Sequence, residues 1–490
     1  MYYPTLPEVK KFRGKGNLVP VYREIVADLE TPVSAFMKVS QGGYSFLLES
    51  VEGGQRLARY SFIGTDPYRV LTTAREEKAD PLDLVAEELK KYRVVPVGSL
   101  PRFCGGAVGY LAYETINRFE ELPSPEHDSL NLPEALFMFV DTMLVFDHVT
   151  HTIKVLSYAR LDGDIEQSYQ EATVRIDRLV DRLNQPLPPR QHSMEAVPPG
   201  NGYEMTSNFS REKFENSVQS IKEYITAGEA IQVVLSQRLA QPTDAPPFAI
   251  YRALRSINPS PYMFFLDCKD FQIVGASPEI LVRVEDNLVM TRPLAGTRSR
   301  GSTPEEDLAL EKELRSDEKE RAEHIMLVDL GRNDIGRVSE PGTVEVSNLM
   351  DVERYSHVMH LYTHVQGKLR ADMTSYDALR ACFPAGTVSG APKIRAMEII
   401  AEMEPEKRGP YAGAAGYFSH SGNMDMAIAI RTMVVKGNTA YVQAGAGIVY
   451  DSVPEKEYEE TLNKAKALLR AIQQAEGAAS VTGRSHAAAD

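Results

Sequence analysis

Between residues 231 and 292 the chain carries five short strand-like runs, at 231–239, 262–266, 271–275, 280–284 and 288–292. Some of the gaps are only a few residues wide, with Asp286-Asn287 between the last two, and so short a connection joins only antiparallel neighbours. Long helical periodicities follow at 304–330 and 454–474, with further strand runs at 359–366, 412–418, 426–435 and 440–449. Clusters of hairpin strands separated by long helices predict an α/β (α+β) chain of large, mainly antiparallel sheets covered by helices. The strand–helix alternation of a doubly wound parallel sheet is excluded.

Residues 1–183 read the same way, with strands at 44–48 and 60–63, a helix at 81–91 and a strand pair at 136–147 and 152–159. An amphipathic helix at 164–183 ends this region. Five prolines then fall within 184–210, so residues 184–209 read as a linker. Residues 210–475 open on a helix with Phe214, Val218, Ile221 and Ile225 on one face and Ser210 as N-cap. Residues 476–490 are small and polar and are expected to be disordered. No internal repeat is visible.

Of the 490 residues, 43% are hydrophobic and 25% charged, which is enough apolar material for a large core. The excess of 68 acidic over 54 basic residues gives a net charge of −14, which argues against nucleic acid or an anionic membrane as partner. Three cysteines without a CxxC pair exclude a disulfide framework and a structural zinc site, and a reducing cytoplasm is expected. The first residues contain no apolar signal core, and the stretch 132–146 is broken by Glu134 and Asp141, so no membrane span is expected. Tryptophan is absent altogether. That fits either chance or a protein translated when tryptophan is scarce.

Two acidic pairs carry chemistry. Glu320 and Glu323 on one helix, and Glu457 and Glu460 on another, are spaced i,i+3 and share a face. Together they form an oxygen-rich set suited to Mg²⁺, although any one such pair is more often a solvated face. Three glycine-containing loops following strands, 294–297, 384–393 and 444–447, are expected to allow close approach of a ligand to the backbone. None completes a P-loop, a dinucleotide fingerprint or a nucleophile elbow. Arg431 interrupts the apolar run MAIAIRTMVV, where a buried guanidinium calls for an anion. His360 and Glu279 taken singly read as a core histidine and an exposed carboxylate. From the residues alone, the chain is an α/β enzyme with a Mg²⁺–anion site.

The segments LLES at 47–50, NPSPYMFF at 258–265, GASPEIL at 275–281, TRPLAGTRSRG at 291–301, EHIMLVDLGRNDIGRV at 323–338, PAGTVSGAPKIRAMEII at 384–400 and QAGAGIVYDSVPEKEYEET at 443–461 tell more. Together they resemble the chorismate-utilising enzymes and, among them, the anthranilate synthase component I family. The resemblance implies that family's fold, with the sheets forming a β-sandwich core. It implies conversion of chorismate and ammonia to anthranilate and pyruvate, the first step of tryptophan biosynthesis from chorismate. Mg²⁺ would bind through Glu323 and Glu460, with Glu320 and Glu457 holding metal-bound water. Gly296, Thr297, Tyr411, Arg431, Gly445, Ala446, Gly447 and Lys464 would bind chorismate. Glu279, Thr387 and His360 would be catalytic, Glu279 as the acid at the departing hydroxyl and His360 in the elimination.

A tryptophan site would comprise Glu49, Ser50, Asn258, Pro261, Tyr262 and Met263, giving feedback inhibition. A glutamine amidotransferase subunit, in a heterotetramer of two of each chain, would supply ammonia, since Cys104 in Phe-Cys-Gly-Gly reads as a small buried residue and no glutaminase domain is present. Aminodeoxychorismate synthases carry a nucleophilic lysine where this chain has Ala295. Isochorismate and salicylate synthases carry a basic lysine where it has Gln232, which cannot accept a proton from water. The alternatives are aminodeoxychorismate synthase component I and a non-catalytic tryptophan-sensing relative.

Overall fold

A computed structural model describes residues 1–51, 59–73, 79–98, 100–187, 204–355 and 358–486, with side chains of the last helix described as far as Gly477. Two large sheets, of 12 and 10 strands, are built from antiparallel pairs. Strand Tyr262–Asp267 shows why its run is apolar throughout. Phe264 and Leu266 point to a cluster shared with Tyr110, Met138 and Tyr417 of the other sheet, while Met263 and Phe265 point to a cluster shared with the helices Pro32–Val39 and Pro247–Ile257. Side chains alternate across a strand, so a strand buried on both faces loses its polar/apolar period. The first cluster is the core of a β-sandwich. Helices cover the outer face of one sheet through the second cluster, and helices including Pro81–Leu89 and Glu318–Gly336 cover the other. The expected α/β architecture, with a sandwich core covered by helices, is what the chain forms.

The first sheet reads alike from its centre outward. Ser45–Glu49, Tyr60–Thr65, Thr142–Asp147, Thr152–Arg160 and Leu18–Val26 are matched strand for strand by Tyr262–Asp267, Phe271–Ser277, Thr432–Lys436, Thr439–Ile448 and Gln232–Pro242. The second sheet does the same from the pair Gly106–Leu111 and Ala414–Ser419. The chain is therefore two topologically equivalent halves, a repeat of strand order that leaves no trace in residue identities. The regions 1–183 and 210–475 each supply strands to both sheets. Of the expected linker, residues 188–203 lie outside the described residues. The final helix, Pro454–His486, runs past residue 474 and into the expected tail.

Three elements differ from expectation in ways that shape the site. The run 304–330 is two helices, Pro304–Ser316 and Glu318–Gly336, because Asp317 adopts an extended conformation and its side chain caps the amides of Lys319 and Glu320. Glu320 and Glu323 thus stand in the first two turns of a new helix. The run 136–147 divides into Ala135–Val140 and Thr142–Asp147, and 426–435 into Met424–Ile428 and Thr432–Lys436. In both, the chain leaves one sheet and enters the other at a charged residue, Asp141 or Arg431. Arg431 turns with φ of 49°, the left-handed region.

Candidate active site

The second half differs from the first by an insertion between strands Ile280–Glu285 and Ala414–Ser419, and this insertion folds back over the end of its own half. Glu279, Arg431, Gly445 to Gly447, Glu460 and Gln232 come from the half itself. Gly296, Thr297, Glu320, Glu323, His360, Thr387 and Tyr411 come from the insertion.

Glycine is required at 296 on two counts. Its φ is +65°, and an added Cβ would lie 2.9 Å from Leu314 Cδ1 and 3.1 Å from a Glu320 oxygen. The bulge there aims the carbonyl of Gly296 at His360 Nδ1, 2.9 Å away, with Thr297 Oγ1 at 3.1 Å from the same nitrogen. A carbonyl only accepts, so Nδ1 carries the proton and the lone pair of the neutral ring is on Nε2. Burial and the positive field of Arg431 hold His360 below its ordinary pKa, so it is a free base at neutral pH. Tyr355 packs edge-on against the imidazole at 5.7 Å, and Arg292 joins Tyr355 to Glu353 through bonds of 3.1 and 2.5 Å. Reasoning from the sequence did not select these three. Arg292 is the one with a signal, a charge closing an apolar strand.

Glu279 is buried, contrary to the exposed carboxylate that its residue context suggests. Thr387 Oγ1 donates to its Oε2 at 3.2 Å. Burial pushes its pKa up to about 8, so it is a neutral acid at pH 7. Glu279 and Thr387 also line a small internal cavity of about 30 Å³ together with Asp334.

Gly445, Ala446 and Gly447 are part of strand Thr439–Ile448 rather than a loop. Neighbouring strand Thr432–Lys436 pairs with it only as far as Val442, which leaves one edge of residues 443–448 open. The Gly445 carbonyl accepts from Lys464 Nζ at 2.9 Å on that edge. In an antiparallel strand a residue's N–H and C=O point the same way, so the amides of Gly445 and, two residues on, Gly447 face the open edge. A Cβ on Gly445 would lie 2.8 Å from the Tyr411 hydroxyl, and one on Gly447 2.5 Å from Gln232 Nε2. Arg431 forms no ion pair with any described residue, and its electrostatic neighbours are Tyr411 and Glu460. An unpaired, half-buried guanidinium beside a row of outward amides is a carboxylate receptor.

The four carboxylates stand on two helices without closing into one cluster, and Glu323 lies near enough to Glu320 and Glu460 to feel their charge. Burial raises the Glu323 pKa, and the charges of Glu320 and Glu460 push in the same direction, while Gln232 donates to Glu323 at 3.3 Å. Burial likewise raises Glu457, which feels Glu460 and accepts from Ser452. Arg298 bonds Glu320 at 3.2 Å, and Lys464 pairs with Glu460 at 2.7 Å. Among the described residues no three of His, Cys, Asp or Glu stand close enough to cage an ion. Mg²⁺ needs no such cage, because it binds through one or two carboxylates and keeps waters and substrate oxygens. The donor set of Glu323 and Glu460 fits it.

A separate cavity of about 380 Å³ opens between the sheets where the two halves meet. Glu49, Ser50, Pro261, Tyr262 and Met263 line it, as expected from the sequence. Asn258 does not. It caps the helix Pro247–Ile257, and its carbonyl accepts from Ser260. The cavity also gathers Arg59, Arg102, Arg283 and Asp425, which sequence reasoning missed because they come from four distant segments. Cys104 is buried and donates to the Pro101 carbonyl, and burial pushes its thiol up to about 12. No described helix is long and apolar enough to cross a membrane.

Residues 43–470 match the chorismate binding enzyme family. The chain is 52% identical to anthranilate synthase component 1 of Acetivibrio thermocellus, over 97% of this chain and 99% of that protein. It is 48% identical to the Aquifex aeolicus protein of the same name, over 96% and 98%. The solved structure of anthranilate synthase component I from Streptococcus pneumoniae matches with a TM-score of 0.75 at 40% identity, over 91% of this chain and 98% of that one. The menaquinone-specific isochorismate synthase of Escherichia coli shares the fold, with a TM-score of 0.70 at 21% identity over 95% and 98%. By this match over residues 43–470 and these full-length relatives, the chain belongs to the chorismate-binding enzymes, in the branch of the anthranilate synthase component 1 proteins.

Proposed function

We propose that the chain aminates chorismate and eliminates pyruvate from the product, giving anthranilate. The observation that carries this reading is Glu279, a buried carboxylic acid bonded by Thr387 and kept neutral at pH 7. Chorismate is a dianion. Arg431, Tyr411 and the outward amides of Gly445 and Gly447 take one carboxylate, with Lys464 beside them. Glu323 and Glu460 would hold Mg²⁺ on the other, with Glu320 and Glu457 around its waters. Bound there, the ion supplies positive charge to the ring carboxylate.

Ammonia adds at C2 and the C4 hydroxyl departs as water with the proton of Glu279, held in line by Thr387. His360 Nε2 then takes the C2 proton, the ring becomes aromatic, the C3–O bond breaks, and the enol gains a proton to give pyruvate. Ala295, between Leu294 and Gly296, offers no nucleophile to form a covalent adduct with the ring, which favours this product over aminodeoxychorismate. Incubation of the purified chain with chorismate, Mg²⁺ and an ammonium salt should give anthranilate, identified by fluorescence and mass. Aminodeoxychorismate or unchanged chorismate would refute the reading.

Ammonia comes from a separate glutamine amidotransferase subunit, and we place the two chains in a cytoplasmic heterotetramer of two of each. The buried free thiols Cys104, Cys268 and Cys382 support the separate source of ammonia, since none is placed to attack glutamine. The inter-sheet cavity takes L-tryptophan as inhibitor. Its volume is in the range for a small ligand, and its walls offer the Tyr262 ring and the Asp425 carboxylate, whereas the Glu49 carboxylate is turned to the helix-covered face and held by Tyr251 and Arg255.

A further inference from the structure

Several groups of the site owe their placement to one side chain that points away from it. Arg408 is 1% exposed and Glu404, its bidentate partner, 3%. The guanidinium donates to both Glu404 oxygens at 2.8 and 2.7 Å, to the Val388 carbonyl at 2.8 Å and to the Val234 carbonyl at 2.7 Å. It also lies on the Tyr411 ring, 5.7 Å from the centroid. Glu404 holds the same strand a second time, accepting from the amide and hydroxyl of Ser236 at 2.8 Å each.

Each anchored point is one or two residues from the chemistry. Val388 follows Thr387, which hydrogen-bonds Glu279. Val234 follows Gln232, which hydrogen-bonds Glu323, and it lies opposite Gly447 in the ladder. Ser236 lies opposite Gly445, whose flat surface the Tyr411 hydroxyl approaches. The outward carbonyl of Val234 and amide of Ser236 are the groups that an antiparallel ladder turns away from its partner strand, so without this pair they would be buried and unsatisfied. A fork with four bonds fixes the planes of three separate segments relative to one another. A single ammonium cannot.

We propose that Arg408, clamped by Glu404, is a positioning residue for the reaction, setting Thr387 against Glu279 and Tyr411 against the glycine strand; this rests on the site reading above. The groups facing the pair are Glu114, whose carboxylate accepts the Arg408 amide at 2.7 Å, and the rings of Tyr113 and Tyr411. For the Glu279 carboxyl they are Thr387, Asp334 with its partner Lys393 across the small cavity and, at longer range, Arg292.

The test compares wild type, Arg408→Lys, and the apolar pair Arg408→Met/Glu404→Met, each first checked for folding by circular dichroism. The double substitution removes the clamp without leaving one buried charge unpaired. Rates are taken against pH at constant free ammonia. KM for chorismate should rise about tenfold in both variants, through Tyr411. The alkaline limb should move up by about one pH unit, because the lost Thr387 bond had been stabilising the Glu279 carboxylate. Thr387→Val should give the same limb shift, and Arg408→Lys added to it should shift the limb no further. A residue that served only stability would lower the active fraction and leave KM and the limb in place. Wild-type KM and limb in either folded variant would overturn the proposal. So would failure of both variants to fold, which would make Arg408 a folding residue. Wild-type turnover in Glu279→Gln would instead remove the site reading itself.

Discussion

Glu279 gives a prediction that can be read from stability as well as from rate. Its pKa rises from 4.5 in the unfolded chain to about 8 in the fold, because burial penalises the carboxylate more than Thr387 and the Leu294 amide favour it. Between those values the folded state holds a proton that the unfolded chain has released. Stability from this group is therefore fully present below about pH 4.5 and is lost as pH rises to about 8. Integrated, the loss is about 1 kcal/mol at pH 5 and about 4 kcal/mol at pH 8. Glu279→Gln keeps the shape and a neutral group, so it escapes the loss. Urea denaturation should show the variant gaining on wild type by roughly 3 kcal/mol between pH 5 and pH 8. Below the alkaline limb turnover should fall by about 10² to 10⁴, since the amide cannot donate as an acid, and the gap should narrow above about pH 8 as wild type loses its own proton. A stability difference that is flat with pH would refute the neutral acid, and wild-type turnover would refute its role.

Glu323→Gln and Glu460→Gln should each weaken Mg²⁺ binding by tenfold or more in titration calorimetry and abolish synthesis; unchanged binding would remove both from the ligand set. The isolated chain should make anthranilate from ammonium salts and none from glutamine, and addition of the amidotransferase subunit should confer glutamine use. Glutamine-dependent product from the chain alone would refute the nitrogen route. Ser50→Phe should fill the inter-sheet cavity and remove tryptophan inhibition with uninhibited turnover within about twofold of wild type. Inhibition curves that fall together would leave the cavity without that role.

The fold class was legible because hairpin spacing constrains it. Short gaps such as Asp286-Asn287 force antiparallel neighbours whatever the side chains do. The sheet switches were not legible. Runs 136–147 and 426–435 are apolar on both faces, and a strand buried on both sides carries no period to mark where one ends. The visible trace was a lone charge in each, Asp141 and Arg431. The latter was noticed for its chemistry and not for its geometry. Asp317 was missed for a similar reason, since helical periodicity continues through it while its capping preference breaks the helix.

The two equivalent halves explain which site residues could be found from local context. Gly445 to Gly447 and Arg431 belong to strands that have counterparts in the first half, at Thr152–Arg160 and at the Asp141 crossover, and only their departures from ordinary strand composition mark them. Those departures are local, so they show in the sequence. Glu279 also stands on a shared strand end, but its acidity comes from being covered. Thr387, more than 100 residues away, is one of the groups that reaches it. His360 acquires its free Nε2 from a bulge at Gly296, 64 residues away. The carboxylates on one helix could be paired by spacing, yet Glu323 meets the field of Glu460 only because the insertion folds back onto the second half. Residue types and i,i+3 spacing therefore mark the proposed ligands and the proposed anion receptor. Proton affinities are set by which segment covers which, and that is a property of the assembled sandwich.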